Sequence, residues 1–133
     1  MERLGPIGAP LITARCAFIR AAQKVCGFHA ATLVKAVQDS PVWKDSVIII
    51  TYDEGGGRWD HVPPPSGDRW GPGVRVPAVI ISPYAKRAFI DHTTYETTSI
   101  LKLIQARWNL PPLGPRDAAA NNLLNAFDFS QNP

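Results

Sequence analysis

A short apolar run at residues 47–52 (VIIITY) constrains the fold of this 133-residue chain more than any other stretch. β-Branched residues dominate the run and turn-forming residues bound it, a pattern typical of a strand buried on both faces in a parallel sheet. Two adjacent carboxylates, Asp53 and Glu54, end the run, and three glycines follow them. Because ligands of open α/β sheets bind just beyond the carboxyl ends of strands, this stretch predicts a metal or phosphate site.

The glycines at residues 55–57 allow the backbone to bend, and Asp60-His61 follows before three prolines at residues 63–65. Asp53 and Glu54 offer the oxygen ligands that hard divalent cations prefer, although carboxylates beside glycines are also common in solvated turns. His61 can bind a phosphate oxygen, protonate a leaving group or lie in the outer shell of a metal. The alternative is a histidine that only orders the loop through its neighbours.

The rest of the chain alternates predicted helices and strands, which is typical of an α/β fold. Upstream of the acidic pair, the pattern predicts a helix over residues 11–25 that ends at Gly27. Residues 30–38 form a second helical stripe, which a serine-proline pair at residues 40–41 stops. Downstream, residues 76–81 are predicted to form another buried strand.

The clearest helix is predicted over residues 95–108, where Thr93 and Glu96 have capping-box spacing. Its apolar stripe contains Ile100, Leu101, Ile104 and Trp108. A short helix is predicted over residues 118–126. His92 lies just before the predicted helix start, where backbone dipoles favour an anion. It is therefore either a substrate contact or an ordinary residue that leads into the helix.

Composition argues against several function classes. The net charge is only +3, and the basic residues form neither a block nor an aromatic-interleaved patch, so we expect no nucleic-acid partner. Glycines, prolines and arginines break the apolar residues at 4–22, so we expect no integral membrane segment, and the stretch makes a poor signal peptide. Cys16 and Cys26 would lie about 15 Å apart on one helix, too far for a disulfide, and the cellular compartment stays open.

In combination, several motifs resemble the phosphoesterase family that includes bacterial phospholipase C and a group of acid phosphatases, within the alkaline phosphatase-like superfamily. The matching residues are 51–57 (TYDEGGG), 60–65 (DHVPPP), 73–77 (GVRVP), 81–85 (ISPYA), 92–104 and Arg116-Asp117. The first 28 residues or so do not match the family pattern. The resemblance therefore divides the chain into an unmatched segment, residues 1–28, and the carboxyl-terminal portion of a phosphoesterase catalytic domain, residues 29–133.

The resemblance implies a fold and a set of site residues. The fold would be the C-terminal part of an alkaline phosphatase-like three-layer α/β/α sandwich with a mostly parallel sheet. Asp53 and Glu54 would bind a divalent metal ion whose identity the sequence leaves open. His61 would be catalytic and bind substrate. His92 is a second substrate-binding candidate, on account of its position before the predicted helix. The family's amino-terminal Glu-Asn metal motif and its Ser or Thr nucleophile have no counterpart in this sequence.

These implications predict a hydrolase that acts on phosphate esters, of phospholipase C or acid phosphatase type, with metal assistance. Because half of the family's site residues have no counterpart, we expect an incomplete fragment with little activity alone. The expected partner is a phosphate ester or phospholipid substrate. The alternative is a non-catalytic α/β domain that binds a metal or a partner. Self-association through an exposed sheet edge is a further expectation for a sheet that lacks some of its strands.

Overall fold

The computed structural model describes the backbone of residues 12–14 and 20–131 and the side chains of residues 29–131. These residues form two compact units, and the chain passes from the first to the second between Pro83 and Tyr84. The elements of the first unit are β1 (Ile12–Ala14), α1 (Arg20–Gln38), β2 (Ile48–Thr51) and β3 (Ala78–Ile81). Those of the second unit are α2 (Thr98–Trp108) and α3 (Pro115–Ala119). The α/β class expected from the sequence is confirmed.

The sheet of the first unit has the order β1-β2-β3. β1 pairs with β2 in parallel, so that Ile12 lies opposite Ile48. β2 pairs with β3 in the antiparallel sense, and Thr51 at the end of β2 lies opposite Ala78 at the start of β3. The predicted strand at residues 47–52 is thus confirmed, and it occupies the centre of the described sheet.

Burial differs between the two strands that the sequence predicted. Ile48 and Ile49 of β2 are buried and form the core of the first unit, in agreement with the prediction of a buried strand. β3 was predicted to be equally buried, but Val79 is 54% exposed and Ala78 is also exposed. That prediction is wrong for the first half of β3, because this strand lies at an edge of the described sheet.

The antiparallel pairing of β3 departs from the expected mostly parallel sheet. A parallel return requires a crossover connection, usually a helix that packs on the sheet. Residues 52–77 join β2 to β3 and are fully described, and they contain no helix. The chain instead turns back through an irregular loop, which favours an antiparallel neighbour. The three-layer sandwich itself stays a prediction.

α1 is longer than either of the helices predicted for this region. It runs without a break from Arg20 through Gly27 to Gln38. The predicted helix over residues 11–25 is wrong at residues 12–14, which form β1, and its residues 15–19 lie outside the described part. The predicted stop is confirmed, because Ser40 follows the helix and its Oγ donates a hydrogen bond to the carbonyl of Val37 at 2.7 Å.

α2 begins at Thr98, three residues later than predicted. The expected capping box of Thr93 and Glu96 does not form. The backbone N–H of Glu96 instead donates to Ser99 Oγ at 3.0 Å. The helix ends as predicted, at Trp108, and the following Asn109 adopts a left-handed conformation (φ 53°) ahead of two prolines.

The buried face of α2 also differs from its predicted apolar stripe. Ser99 and Gln105 are buried, whereas Leu101 and Trp108 of the stripe are exposed. Gln105 is buried because its side chain donates to Asp117 of α3. The predicted helix over residues 118–126 is two shorter pieces, α3 and a 3₁₀ turn at Leu123–Ala126. Leu123, Ala126 and Phe127 form the apolar core of this unit.

Across the described residues, every helix is too short or too polar to cross a lipid bilayer.

Candidate functional site

The acidic pair follows the central strand directly. Asp53 and Glu54 are the second and third residues after Thr51, the last residue of β2, and both are exposed. Among the side chains that the structure describes, neither carboxylate has a hydrogen-bond or ion-pair partner. The buried strand β2 therefore fixes the backbone position at which Asp53 and Glu54 leave the sheet. Their carboxylate oxygens stay available to a ligand.

The chain that enters β3 lies beside the chain that leaves β2. Thr51 pairs with Ala78 in the sheet, and Thr51 Oγ1 donates a hydrogen bond to the carbonyl of Pro77 at 3.0 Å. Residues just before β3 are therefore held at the same end of the sheet as the acidic pair.

The three glycines after the acidic pair form a tight turn. The backbone N–H of Arg58 donates to the carbonyl of Gly55 at 2.9 Å, and the two central residues, Gly56 and Gly57, have φ values of 58° and 74°. Positive φ at both central positions is the type I′ requirement, which glycine meets without steric cost. Gly55 is also needed for space, because a Cβ there would lie 2.6 Å from Cγ2 of Val74. The predicted bend is confirmed.

His61 lies beyond this turn in an exposed position. Its φ of 68° is left-handed, which is uncommon for a residue other than glycine. The ring of Trp59 lies against the imidazole, with 5.4 Å between ring centroids and 39° between planes. Trp59 Nε1 donates to the carbonyl of Val62 at 2.9 Å, which ties together the residues on either side of His61.

Asp60 anchors this segment to the approach to β3. Its Oδ2 accepts a hydrogen bond from Arg75 Nε at 2.6 Å, and its Oδ1 accepts one from the backbone N–H of Val62 at 3.3 Å. Desolvation opposes ionisation of Asp60, but the hydrogen bonds from Arg75 and Val62 outweigh it, so the pKa of Asp60 is lowered. Asp60 is thus a charged residue that closes the loop, and Arg75 is its ion-pair partner.

The described part of the chain contains no group of three or more His, Cys, Asp or Glu side chains close enough together to hold a metal ion. Within the first unit, one loop contains Asp53, Glu54 and His61. What this loop offers chemically is two free carboxylates and an imidazole, joined by a glycine turn and closed by an ion pair.

His92 belongs to the second unit, where it is exposed. α2 begins six residues after His92, so the expected proximity to the helix start is wrong. The neighbouring Asp91 instead organises this segment. It accepts hydrogen bonds from the backbone N–H of Thr93 at 3.0 Å, from Tyr95 Oη at 2.7 Å and from Asn125 Nδ2 at 3.1 Å.

The charge of Asp91 is stabilised by these donors. Desolvation acts to raise its pKa, but the hydrogen bonds from Thr93, Tyr95 and Asn125 together lower it to about 2. Desolvation and the hydrogen bond to Asp91 raise the pKa of Tyr95 in turn. Asp91 therefore holds residues 91–95 against the region of Asn125, and it leaves the His92 side chain exposed.

Comparison with known proteins places these features in a family. The model of the phosphoesterase family matches residues 21–111, which is more than half of the chain. Phospholipase C B of Mycobacterium tuberculosis is 35% identical over 119 residues, which cover 69% of this chain and 23% of that protein. The chain belongs to the phosphoesterase family.

Two other members of the family give similar figures. Non-hemolytic phospholipase C of Burkholderia pseudomallei is 31% identical over 137 residues, covering 77% of this chain and 20% of that protein. Non-specific phospholipase C1 of Arabidopsis thaliana is 30% identical over 125 residues, covering 74% of this chain and 24% of that protein. This phosphoesterase chain thus spans between a fifth and a quarter of the length of these curated relatives.

One motif of the family resemblance, Arg116-Asp117, has a structural role here. Asp117 is buried and accepts hydrogen bonds from Gln105 Nε2 at 2.5 Å and from the backbone N–H groups of Leu113 and Gly114 at 2.7 Å. The hydrogen bond from Gln105 and those from the two backbone groups lower the pKa of Asp117. Arg116 Nε bonds Glu96 Oε2 at 2.7 Å. The Gln105–Asp117 bond joins α2 to α3, and the Arg116–Glu96 pair joins α3 to the segment just before α2.

Sequence reasoning missed the residues around His61 more than the acidic pair. Trp59 and Asp60 each contact a residue beside or near His61, and Arg75 reaches Asp60 across fifteen positions of sequence. No periodicity or spacing in the sequence relates Asp60 to Arg75. The only signal in the sequence was that Asp60 and Arg75 each lie in a motif, 60–65 and 73–77, that carries the resemblance to the phosphoesterase family.

Proposed function

We propose that the protein to which these residues belong is a hydrolase of phosphate esters, of phospholipase C or acid phosphatase type. Phospholipids are the proposed substrate class. One observation supports this most strongly. An exposed acidic pair without partners among the described side chains follows a buried central strand, in a chain similar to phospholipases C. Asp53 and Glu54 bind a divalent cation in this proposal, and His61 acts on the phosphate ester.

The donor chemistry of the acidic pair fits a hard divalent cation, because carboxylate oxygens are the ligands such ions prefer. The two residues provide only part of a coordination shell, since no third ligand lies near them among the described side chains. Asp53 and Glu54 would hold the ion from the end of β2. When bound, the ion would polarise a phosphoryl oxygen and offset negative charge on the ester.

His61 is proposed to contact the phosphate and to transfer a proton. The residue is exposed, so an ester oxygen can approach the imidazole. A protonated ring nitrogen of His61 would donate its proton to the leaving oxygen, which would otherwise depart as a costly alkoxide. His92 is proposed as a second substrate contact, for which its exposed side chain is suitable.

We also propose that the sheet is one part of a larger, mostly parallel sheet in a three-layer α/β/α sandwich. The parallel pairing of β1 with β2 is consistent with this, because purely parallel pairs require crossovers such as α1. Antiparallel β3 is compatible too, since many otherwise parallel sheets have an antiparallel edge strand.

The experiment that tests the function measures hydrolysis of phosphatidylcholine and of p-nitrophenyl phosphate by the complete protein. Activity is followed after treatment with a chelator and after addition of Mg²⁺, Ca²⁺ or Mn²⁺. We expect loss of activity on chelation and recovery with at least one ion. His61→Gln is expected to lower kcat. Asp39→Asn is the control and is expected to leave kcat unchanged, because Asp39 lies just after α1 and its carboxylate forms an exposed ion pair with Lys35. Chelator-resistant activity, or none on either substrate, would contradict the proposal.

A second candidate function, binding of a partner subunit, is supported by the edge strand. β3 is at the edge of the described sheet, and Val79 is largely exposed there. An uncovered edge strand offers backbone groups to another chain. Sedimentation analysis of the chain and of Val79→Lys tests a second copy of the chain as the partner. Association that the substitution abolishes supports an edge-to-edge contact, and a monomer at all concentrations excludes self-association through this edge.

A further inference from the structure

The left-handed backbone at His61 requires an explanation. Residues other than glycine adopt such a conformation only when their surroundings determine it, and such residues cluster at functional sites. His61 has a φ of 68° although nothing buries it. The neighbouring residues must therefore supply the constraint, and three of them do so by contacts that the structure shows.

The backbone on either side of His61 is fixed first. The carbonyl of Val62 accepts a hydrogen bond from Trp59 Nε1 at 2.9 Å, and the N–H of Val62 donates to Asp60 Oδ1 at 3.3 Å. Both peptide groups of Val62 are thus tied to residues that precede His61. Rotation about the His61 backbone would break one or both of these bonds.

The imidazole is restricted next. The indole of Trp59 lies 5.4 Å from the His61 ring, so it occupies one side of the imidazole. The same indole makes the hydrogen bond to Val62, and therefore its own orientation is fixed. Trp59 limits both the backbone and the side-chain rotamer of His61.

The third constraint connects His61 to the sheet. Asp60 bonds Arg75, which lies three residues before Ala78, and Ala78 pairs with Thr51 at the end of β2. Gly55, directly after the acidic pair, lies against Val74, the neighbour of Arg75. The ion pair thus returns the His61 segment to the end of the sheet from which Asp53 and Glu54 emerge.

We propose that Trp59, Asp60 and Arg75 are positioning residues that hold the imidazole of His61 at the acidic end of the sheet, in the orientation used on the phosphate ester. The inference rests on the proposed function of His61. The Asp60–Arg75 pair is exposed, and exposed ion pairs contribute little to stability. The Asp60–Arg75 pair acts by orienting the His61 segment, so removing the pair is expected to leave the protein folded.

The test has a spectroscopic part that needs no turnover. The chain has three histidines, so ring resonances of ¹³C,¹⁵N-histidine can be assigned with His29→Gln and His92→Gln. We expect cross-relaxation between the Trp59 indole and the His61 imidazole. Trp59→Ala and Asp60→Asn are expected to shift the His61 resonances and leave those of the other two histidines in place. Asp60→Asn keeps an acceptor for Val62, so it isolates the loss of the Arg75 pair.

The kinetic part separates positioning from folding. In the complete protein, Trp59→Ala is expected to lower kcat about 10- to 100-fold with little change in KM, because the substrate still binds to a site whose proton donor is displaced. Trp59→Phe retains an aromatic ring but loses the Nε1 hydrogen bond to Val62, so it is expected to recover only part of kcat. Arg75→Lys retains the charge that pairs with Asp60 and is expected to recover more of it. Trp70→Ala is the matched control, since Trp70 is an exposed tryptophan of the same loop that contacts Arg69.

Two results would overturn the inference, and they differ. If His61→Gln lowers hydrolysis but Trp59→Ala and Asp60→Asn change neither kcat nor the His61 resonances, positioning is wrong and the function of His61 stands. If His61→Gln leaves hydrolysis intact, the proposed function of His61 fails and the inference fails with it, whatever the resonances show.

Discussion

Two pairs of acidic residues, one pair in each unit, are placed in opposite ways. In the first unit, Asp53 and Glu54 are exposed and have no partner among the described side chains. In the second unit, Asp117 is buried and its carboxylate accepts hydrogen bonds from Gln105 and from two backbone N–H groups. The carboxylate of Asp91 accepts hydrogen bonds from Thr93, Tyr95 and Asn125. Both sets lie in or beside motifs of the same family.

The difference separates two uses of a carboxylate. A carboxylate that loses its hydration on folding needs hydrogen-bond donors from the protein in place of water. Those hydrogen bonds then hold the surrounding elements together. Asp117 and Asp91 are compensated in this way, and the pKa of each is lowered. A carboxylate that is to bind a cation must instead keep its oxygens free of internal donors. Asp53 and Glu54 meet that condition, and β2 behind them supplies the rigid support.

The largest expected effect is on activity, from the acidic pair. Asp53→Asn with Glu54→Gln should lower hydrolysis by the complete protein at least about 10²-fold, because it removes ligands rather than their outer-shell partners. Stability should change by no more than about 0.5 kcal/mol, as for exposed sites without partners. Parallel measurement of hydrolysis and of the urea unfolding midpoint checks both. A large fall in stability with activity retained would mean that Asp53 and Glu54 stabilise the fold, as Asp117 and Asp91 do, and do not bind a cation.

Asp117→Ala should do the reverse and give the largest loss of stability among the acidic residues. It leaves the buried Gln105 side chain and the N–H groups of Leu113 and Gly114 without their acceptor. Circular dichroism in urea measures the midpoint. An unchanged midpoint would mean that the hydrogen bonds of Asp117 do not hold α2 to α3.

The glycine turn gives a smaller effect on the first unit. Gly55→Ala would place a Cβ 2.6 Å from Val74 and 2.9 Å from the carbonyl of Arg58, so the turn must shift. We expect a loss of about 1–2 kcal/mol and a marked fall in hydrolysis, since the acids and His61 move apart. Gly114→Ala is the control in the second unit, because the nearest atom there is 3.8 Å away. Equal effects at both glycines would contradict this account.

The smallest effect is the pH dependence from Asp91. The pKa of Asp91 is about 2 in the folded protein, against an ordinary aspartate value of 3.8, which we take for the unfolded chain. The folded state therefore favours the ionised form. The stabilisation is therefore complete above about pH 4 and is lost as the pH falls toward 2. Asp91→Asn should lower stability by about 1 kcal/mol at pH 6, and the difference from the unchanged protein should shrink between pH 4 and 2.5. Urea unfolding over that range measures it, and a constant difference would exclude ionisation as the cause.

Sequence reasoning recovered the parts of the fold that depend on local pattern. The β-branched run at residues 47–52, the proline that stops α1 and the glycine bend all follow from properties of a few adjacent residues. It failed where distant residues decide. Gln105 is buried where α3 presents Asp117 to it, and β3 is antiparallel because its loop forms no helix.

The candidate site divides in the same way. The acidic pair and His61 could be proposed from a strand, a glycine bend and the family motifs. The contacts that orient His61 could not, because Arg75 and Asp60 meet only once the loop has closed. The reason proposed for His92 was wrong, because α2 begins at Thr98, six residues after His92, and its first turn has no side-chain cap.

Metal binding by the acidic pair tests the central claim most directly. Calorimetric titration of the complete protein with Mg²⁺, Ca²⁺ and Mn²⁺ in turn should find at least one ion that binds. Asp53→Asn with Glu54→Gln should weaken that binding by at least about 10-fold, whereas Asp91→Asn should leave it unchanged. Equal affinity in the acidic-pair variant and the unchanged protein would contradict the account.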